Sequence, residues 1–488
     1  MKTKHLLLSF FILAFLPNLA SADPIIKHLS IAKTNLDVSS TTVVGEIAIE
    51  PTEAGKVIVR FDGNCWSSPG DLIVLAASDA PSWSTNDGNV GVEALDSDIR
   101  INSFSHTRVY NVTAGAQTFY AVAHNYVETD GDGIASIYGS LTVEFIPSGD
   151  NFVRSIGIAE SSIDLNTLKV LGEISMNPPT AGKVIVRFDG NCYTSPGDRI
   201  VLAASDAPSW SVSDGNVGVE AIDADLNHRP FSHTRVYDVA AGSQTFYAVG
   251  QNYVETAGDG IAYIYGSLTV EFIPTGDKII GFSGIVETGI DVSNVTPFAE
   301  ITIDPPVDGR VIVNFDGSCI SSAGDRIVLA ASDNVGWSPD AGNIGVEAID
   351  ADLNANSFSH TRGYDVAAGT HTFYAVVQNY AETDGDGKAS VYGSLTVKFV
   401  PQAPALAVND VSRNEYNIYP IPANDVLNIE GLSTNSRLSI YSISGKELRQ
   451  IEATHSTISL NISDIEQGVY FLRISAKDKS DVLKFIKE

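Results

Sequence analysis

The stretch VIVRFDG at residues 57–63 decides the fold of this 488-residue chain. Val57, Val59 and Phe61 occupy alternate positions in it, with other side chains between them. Because successive side chains of a β-strand point to opposite faces, this spacing places the three apolar residues on one face. The stretch therefore predicts a strand with one side packed in a core.

The same sequence recurs twice, because the chain carries a repeat of 127 residues. Its first three residues, VIV, and its last three, FDG, are found again within residues 184–190 and 311–317. Three cysteines mark the same period, and so do the segments IVLAASD, FSHTR, TFYAV and YGSLTV. Solenoid repeats run to about 20–50 residues, whereas about 100–150 residues suffice for an independent domain. We therefore predict independent β-modules, arranged like beads on a string and joined by a linker to a C-terminal domain. The predicted boundaries are 24–148, 149–275 and 276–401 for the modules and 402–413 for the linker.

Each module reads as strands throughout. Leu141, Val143 and Phe145 share the apolar face of one strand, and Glu144 lies on the other face. Lys398 replaces this glutamate in the third copy, as expected of a position that faces solvent. We count about seven or eight short strands per module and no amphipathic helix.

Short strands separated by Gly-rich turns predict an all-β fold, with three tandem antiparallel β-sandwiches of jelly-roll-like form. The Thr-Ala-Gly at residues 113–115 predicts a hairpin between the strands at 107–112 and 117–126.

The cysteines and the charge exclude some classes of function. Cys65, Cys192 and Cys319 stand one to a module, so no disulfide can close within a module, and each is expected to be a small buried apolar residue. No second Cys or His stands at zinc-ligand spacing. The chain has 30 basic and 59 acidic residues, a net charge of −29. This charge repels nucleic acid and anionic membranes, so neither is expected as a partner.

The first candidate site is aromatic and polar. A tryptophan follows each IVLAASD strand, and each Ser-His-Thr-Arg segment adds a histidine and an arginine. An exposed Trp beside hydrogen-bonding side chains can stack on a sugar ring and bind its hydroxyls. The alternative is that the tryptophan closes the end of the sandwich and the arginine pairs with an acid, since large aromatic residues are usually buried. The candidate ligand-binding residues are Trp83, His106, Arg108, Trp210, His233, Arg235, Trp337, His360 and Arg362.

The second candidate site is acidic. The loop at residues 128–133 reads ETDGDG, and it recurs with Ala257 in place of the first Asp and then intact at 382–387. Carboxylates on a Gly-bent loop could converge on Ca²⁺, which takes six to eight oxygen ligands. The alternative is a polar turn, for which Asp-Gly is a common choice. The candidate calcium ligands are Glu128, Asp130, Asp132, Glu255, Asp259, Glu382, Asp384 and Asp386.

A third set of acids raises the question of catalysis. Glu93, Asp96 and Asp98 recur in each module, and a glycosidase needs two carboxylates about 5–10 Å apart. Sequence does not give that separation, and neither a G-x-S-x-G nor an H-E-x-x-H motif is present. We therefore expect no enzyme activity.

The N-terminus has the order of a secretory signal peptide. Lys2 and Lys4 precede an apolar run at residues 6–16, and Ala20-Ser21-Ala22 supplies small residues for cleavage. The run is shorter than the ~20 residues that span a bilayer. We predict a signal peptide at 1–22, a mature chain that begins near Asp23 and no membrane anchor.

The C-terminal segment 414–488 has its own sequence pattern. It opens on Tyr-Pro-Ile-Pro at 419–422, continues through Ser-Gly-Lys at 444–446 and Gly-Val-Tyr-Phe at 468–471, and ends rich in lysine. Its alternating strands predict a small β-sandwich with Gly445 and Gly468 at turns. In this order of motifs it resembles the type A C-terminal sorting domain of the type IX (Por) secretion system. Ile421 departs from that pattern, which generally has Asn between the two prolines.

The resemblance implies an address. Such domains are recognised by an outer-membrane translocon and cleaved, after which the cargo is released or attached to surface lipopolysaccharide. The chain is therefore expected to be exported by the type IX machinery of a Gram-negative bacterium and to reach the cell surface.

These observations favour a surface binding protein, an adhesin or carbohydrate-binding array, because triplication of a weak site raises avidity. One alternative is a structural spacer or coat component without a specific ligand. A polysaccharide-degrading enzyme is the other.

Overall fold

The structure is a computed structural model, and sixteen segments of it are described. They are residues 25–83, 90–93, 101–128, 131–147, 153–211, 217–220, 229–255, 258–276, 279–337, 344–347, 355–382, 385–401, 416–433, 436–442, 446–476 and 479–488. The predicted signal peptide and the whole of the predicted linker lie outside these segments.

Module 1 consists of two four-stranded antiparallel sheets with the strand orders β1-β8-β3-β6 and β2-β7-β4-β5. These two orders define a jelly roll, in which consecutive strands alternate between the facing sheets, except that β4 and β5 are neighbours in the same sheet. The strands are β1 (Ile25–Asp37), β2 (Thr42–Ile49), β3 (Gly55–Ser67), β4 (Asp71–Ser78), β5 (Val90–Glu93), β6 (Ile101–Val112), β7 (Gln117–Glu128) and β8 (Ile134–Pro147).

Modules 2 and 3 repeat this topology. The sheet orders are β14-β11-β16-β9 and β10-β15-β12-β13 in module 2, and β17-β24-β19-β22 and β18-β23-β20-β21 in module 3. The strands of module 2 are β9 (Val153–Asp164), β10 (Lys169–Met176), β11 (Gly182–Thr194), β12 (Asp198–Ser205), β13 (Val217–Glu220), β14 (Arg229–Val239), β15 (Gln244–Glu255) and β16 (Ile261–Pro274). Those of module 3 are β17 (Ile279–Asp291), β18 (Thr296–Ile303), β19 (Gly309–Ser321), β20 (Asp325–Ser332), β21 (Ile344–Glu347), β22 (Ala355–Val366), β23 (His371–Glu382) and β24 (Lys388–Pro401).

The inner faces of the sheets build a separate apolar core in each module. Val57, Val59 and Phe61 of β3 are all fully buried in the first core, as their spacing predicts. The predicted all-β sandwich fold is confirmed. No helix in the described part of the chain is long and apolar enough to cross a membrane.

The predicted hairpin at residues 113–115 is wrong. Strand β6 pairs with β3, whereas β7 pairs with β2 and β4 in the opposite sheet. The Thr-Ala-Gly segment therefore crosses from one sheet to the other. The N–H of Gly115 donates a hydrogen bond to the carbonyl of Pro51, 2.9 Å away, which fixes this crossing.

Glycines of the repeated segments allow two strands to approach closely. A Cβ atom on Gly139 would stand 2.0 Å from the carbonyl oxygen of Asp62, and one on Gly63 would stand 2.2 Å from that of Tyr138. No side chain fits at these distances. The repeated Phe-Asp-Gly thus combines a core residue, an acid and a point of close backbone contact.

The modules do not form beads on a string, because the described residues of all three belong to one compact unit. The equivalent strands β6, β14 and β22 pack against one another about a central pseudo-threefold axis. Each of them also packs on the next module: β6 on β11, β14 on β19 and β22 on β3. Module 3 therefore returns to module 1 and closes a ring of three.

We call the interface between two adjacent modules a seam. Two of the three seams have small apolar cores of their own. Val153 of module 2 packs on Ile58, Val109 and Ile146 of module 1. Ile280 makes the equivalent contact between modules 3 and 2. The third seam has no chain connection across it. There the Arg310 guanidinium donates to the carbonyl of Ile26, 3.3 Å away.

The C-terminal unit is a separate seven-stranded sandwich with its own core. Its sheets have the orders β25-β26-β29 and β28-β27-β30-β31. Gly468 begins a strand rather than occupying a turn, and Gly445 lies outside the described residues. The strands are β25 (Asn417–Tyr419), β26 (Val426–Glu430), β27 (Ser436–Ser442), β28 (Glu447–Ala453), β29 (Thr457–Asn461), β30 (Gly468–Ala476) and β31 (Lys479–Lys487).

Candidate functional site: the ring axis and the inter-module clefts

One buried ion cluster corrects a prediction. Glu144, Glu271 and Lys398 are equivalent residues of the three modules and are only 7%, 6% and 5% exposed. The Lys398 ammonium contacts a carboxylate oxygen of each glutamate at 2.5 Å. Burial alone would lower the pKa of Lys398, yet the two carboxylates raise it above its usual value. The position faces the ring axis, so the prediction that it faces solvent is wrong.

A second polar layer joins each module to the next through an aspartate. Asp189 of module 2 accepts hydrogen bonds from Ser105 (3.2 Å) and Thr107 (2.5 Å) of module 1, and from Ser267 (3.0 Å) of its own module. Burial raises the pKa of Asp189, while the hydrogen bond from Thr107, the nearby Arg187 and Arg60, and the hydrogen bond from Ser267 oppose the rise. The equivalent aspartates, Asp316 and Asp62, make the same three kinds of contact.

Arginine compensates part of this buried charge. Arg60, which is 4% exposed, lies 3.3 Å from Asp62 and 3.9 Å from Asp316, and donates to Ser359 at 2.7 Å. Arg187 is its counterpart in module 2, and burial, with the nearby Arg60, lowers its pKa to about 10. Module 3 has Asn314 at this position. The layer thus contains three aspartates and only two arginines.

The histidines of the predicted ligand site are structural. His106 is 5% exposed, and its Nδ1 accepts a hydrogen bond of 2.9 Å from the N–H of Ala77. His233 and His360 do the same with Ala204 and Ala331, also at 2.9 Å. These histidines lock the two sheets of a module together from inside. All three histidines are buried, so the prediction that His106, His233 and His360 contact a ligand at the surface is not supported.

Their burial predicts acid sensitivity. Burial, with a smaller contribution from the adjacent arginine, lowers the pKa of His106 and of His360 to about 3. The unfolded chain takes up these protons near pH 6.5, so stability present above pH 6.5 is lost as the pH falls toward 3, at up to ~1.4 kcal/mol per pH unit for each histidine. Thermal unfolding at pH 7, 5 and 4 measures the loss. Because Gln can accept the same N–H but does not titrate, His360→Gln should flatten this dependence. An unchanged slope would contradict the assignment.

Two of the arginines of the same segment, Arg235 and Arg362, lie at the seams. Arg108, Arg235 and Arg362 are half-buried. The Arg235 guanidinium of module 2 lies over the ring of Phe282 of module 3, 5.1 Å from its centroid. Arg362 is close enough to His28 of module 1 to lower the pKa of that imidazole, whose main perturbation is burial. The sequence-predicted site is thus divided among three places.

The tryptophans lie at the surface of each module. Trp83, Trp210 and Trp337 are half-buried, each edge-to-face with an exposed tyrosine of the neighbouring strand at 5.8–5.9 Å between centroids. The indole N–H of Trp210 donates to Gln251 (3.0 Å) and that of Trp337 to Gln378 (2.8 Å). In module 1 the indole of Trp83 stands beside the His124 ring instead. The exposed partners are Tyr126, Tyr253 and Tyr380.

One tryptophan lines a cleft between modules. Trp210 and Tyr253 form one wall, with Arg199 beside them, and module 3 provides the other wall through Ile320 and Tyr392. The cleft has a volume of about 150 Å³. Sequence reasoning missed the module 3 wall, because only the ring closure brings it near Trp210. The exact recurrence of Tyr138 as Tyr392 was the available signal.

The acidic loops are organised as turns. The exposed carboxylates of Asp132, Asp259 and Asp386 accept the N–H two residues further on, at 2.9–3.0 Å. A buried aspartate that the sequence did not single out anchors each loop: Asp71 accepts from the N–H of Gly133 at 3.1 Å and from Asn125 at 2.6 Å.

The other candidate calcium ligands are described only in part. Glu128, Glu255 and Glu382 end their strands, and their side chains lie outside the description, as do Asp130 and Asp384 altogether. Among the residues that are described, no three His, Cys, Asp or Glu side chains are placed to hold a metal ion. The side chains of Glu93 and its copies, with Asp96 and Asp98, lie outside the described residues too.

The three cysteines are free and fully buried, as predicted. Burial raises the pKa of each thiol, that of Cys319 to about 12. They therefore stay protonated and unreactive.

Comparison with known proteins establishes the class of the C-terminal unit. Residues 417–488 match the family described as the secretion system C-terminal sorting domain. This segment is a type IX sorting domain, so the chain is secreted by that system and directed to the cell surface. The rest of the chain lies outside this match, and no curated protein matches the chain.

Solved structures offer weak similarities only. PorZ, a surface component of the type IX secretion system of Porphyromonas gingivalis, is 20% identical over 19% of this chain and 14% of its own, with a TM-score of 0.15. A structure from Sulfolobus turreted icosahedral virus is 10% identical over 77% and 90%, with a TM-score of 0.18. The adhesin domain of Epf from Streptococcus pyogenes is 9% identical over 69% and 97%, with a TM-score of 0.14. These scores are too low to carry an argument.

Proposed function

We propose that the three-module ring is a non-enzymatic binding protein of the cell surface that holds a sugar ring in the cleft between modules 2 and 3. The observation that carries the proposal is the aromatic lining of this cleft by Trp210, Tyr253 and Tyr392. Aromatic side chains offer apolar faces to the C–H groups of a pyranose, and a tyrosine hydroxyl can form hydrogen bonds as well.

The cleft is prepared for binding before a ligand arrives. The hydrogen bond from the Trp210 indole to Gln251 fixes the plane of the ring, and the edge-to-face contact with Tyr253 supports it. A side chain already held in place loses less conformational entropy when a ligand binds. The cleft has a volume of about 150 Å³, which is smaller than the 300–1,000 Å³ of sites for drug-sized ligands. This volume suits one sugar residue of a longer chain.

The lining supports binding rather than hydrolysis. A glycosidase needs two carboxylates across the scissile bond. The described residues that line the cleft include an arginine, a serine and three aromatics, but no acid. The three modules are held in one body and do not move independently on linkers. The gain in avidity expected of a flexible array therefore does not apply to this ring.

Glycan-array binding of the full-length chain, followed by titration of the best hit, tests this function. Trp210→Ala is expected to weaken binding at least tenfold, because it removes the main stacking surface. Tyr263→Ala removes an aromatic that is 42% exposed but does not line the cleft, so it serves as the control and should bind normally. Absence of any glycan hit, or equal binding by Trp210→Ala, would refute the proposal, and a rigid spacer would then be the better description.

A further inference from the structure

The pseudo-threefold axis repeats the inter-module contact at every seam. The short edge strand of one module packs on the next module: β5 on β14, β13 on β22 and β21 on β6. Each seam therefore juxtaposes equivalent positions of the chain. The side chains at these positions differ from seam to seam.

At the seam between modules 3 and 1 two side chains of the chain contact each other. The Arg326 guanidinium of module 3 lies over the Trp66 indole of module 1, 5.9 Å from the ring centroid. This distance is within the range of a cation–π contact. Arg326 is the counterpart of Arg199, and Trp66 that of Ile320, so the pair occupies the positions that line the open cleft.

An aromatic pair also marks the seam between modules 1 and 2. Tyr193, the counterpart of Ile320, is edge-to-face with Tyr265 at 5.9 Å. Trp66 makes the same kind of contact with Tyr138, at 6.5 Å. Tyr392 has Ile320 in place of such a partner, and its ring borders the cleft between modules 2 and 3.

We propose that the three clefts have diverged, so that the chain binds one sugar ring, between modules 2 and 3, and that the residue at position 320 keeps this cleft open. This inference rests on the proposed function and assigns its stoichiometry and the residue that controls access. An indole or phenol at that position covers the tyrosine wall and closes the cleft. Isoleucine leaves the wall to the ligand.

Exchanges between the repeats test the proposal. Ile320→Trp and Ile320→Tyr install residues that the chain already carries at the equivalent positions, so both are compatible with the fold. Either is expected to weaken binding at least tenfold. The reverse exchange, Trp66→Ile, removes the surface on which Arg326 stacks, and is expected to raise the stoichiometry from one ligand per chain to two. Thermal unfolding of each variant checks that the ring remains intact.

The probe is a panel of methyl α- and β-hexopyranosides, titrated by calorimetry and by NMR into the full-length chain. One site in the parent chain, none in the Ile320 variants and two in Trp66→Ile support the proposal. Three sites in the parent chain, or undiminished binding by folded Ile320→Trp and Ile320→Tyr, overturn the divergence of the clefts but leave the binding function standing. No binding of any probe, together with a blank glycan array, overturns both.

Discussion

The Lys398→Glu variant is expected to lose several kcal/mol of folding stability at pH 7. It would place a third carboxylate beside Glu144 and Glu271, where the ammonium now contacts both at 2.5 Å. Loss of one partner from a buried ion pair costs about 3–5 kcal/mol, and here a like charge also replaces the cation. Urea unfolding at pH 7 measures the effect.

The repeat supplies a matched control for this variant. The double variant Lys398→Glu with Glu144→Lys moves the lysine to the equivalent position of module 1 and keeps two glutamates and one lysine at the axis. It should recover most of the lost stability, because the axis relates the three positions. If the double variant is as unstable as the single one, the three positions are not equivalent and the axial cluster is not what holds the ring.

The second large effect is expected from Arg60→Met. Methionine keeps the apolar stem but removes the charge that faces Asp62 at 3.3 Å and Asp316 at 3.9 Å. Three buried aspartates would then face Arg187 alone, and a loss of about 3–5 kcal/mol is expected. Because Arg60 also donates to Ser359 of module 3, the seam between modules 3 and 1 is weakened as well.

Differential scanning calorimetry distinguishes a local from a cooperative loss. If the ring unfolds as a unit, Arg60→Met lowers one shared transition of residues 25–401. If only the first of three transitions moves, the modules unfold independently and the interface contributes little. Arg60→Asn combined with Asn314→Arg preserves the count of arginines and is the matched control.

The interior of each module could be read from the sequence because it depends on alternation. The spacing of Val57, Val59 and Phe61 is sufficient to place them in a core, and the 127-residue period is sufficient to count the modules. The sorting domain was recognisable for a similar reason, since its motifs occur in a fixed local order.

The packing between modules could not be read in the same way. Glu144 and Lys398 have the pattern of exposed residues, since the outer face of a sandwich normally meets water. Here that face meets two further copies of itself, and the polar residues are satisfied by partners 127 and 254 residues away. The hairpin at residues 113–115 failed for a related reason: a turn motif does not say whether its strands join one sheet or two.

The proposed binding site depends on the same long-range packing. Trp210 was a candidate from its sequence context, and the structure leaves it at the surface. Its predicted companion His233 belongs to the interior of the module, and the other wall of the cleft comes from a module that starts some seventy residues later. Local motifs singled out Trp210, on one wall of the cleft, and could not single out the module 3 residues on the other.

Closure after three modules also constrains how such a gene can change. In a flexible tandem array, unequal recombination can add or delete a unit, and each product still folds. Here the loss of module 3 would leave Asp62 without its hydroxyl donors Ser359 and Thr361. The loss of another module would remove the equivalent donors of another aspartate. A fourth unit would find no place about an axis already shared by three. We therefore expect the number of modules to stay at three, and the modules to diverge by point substitution.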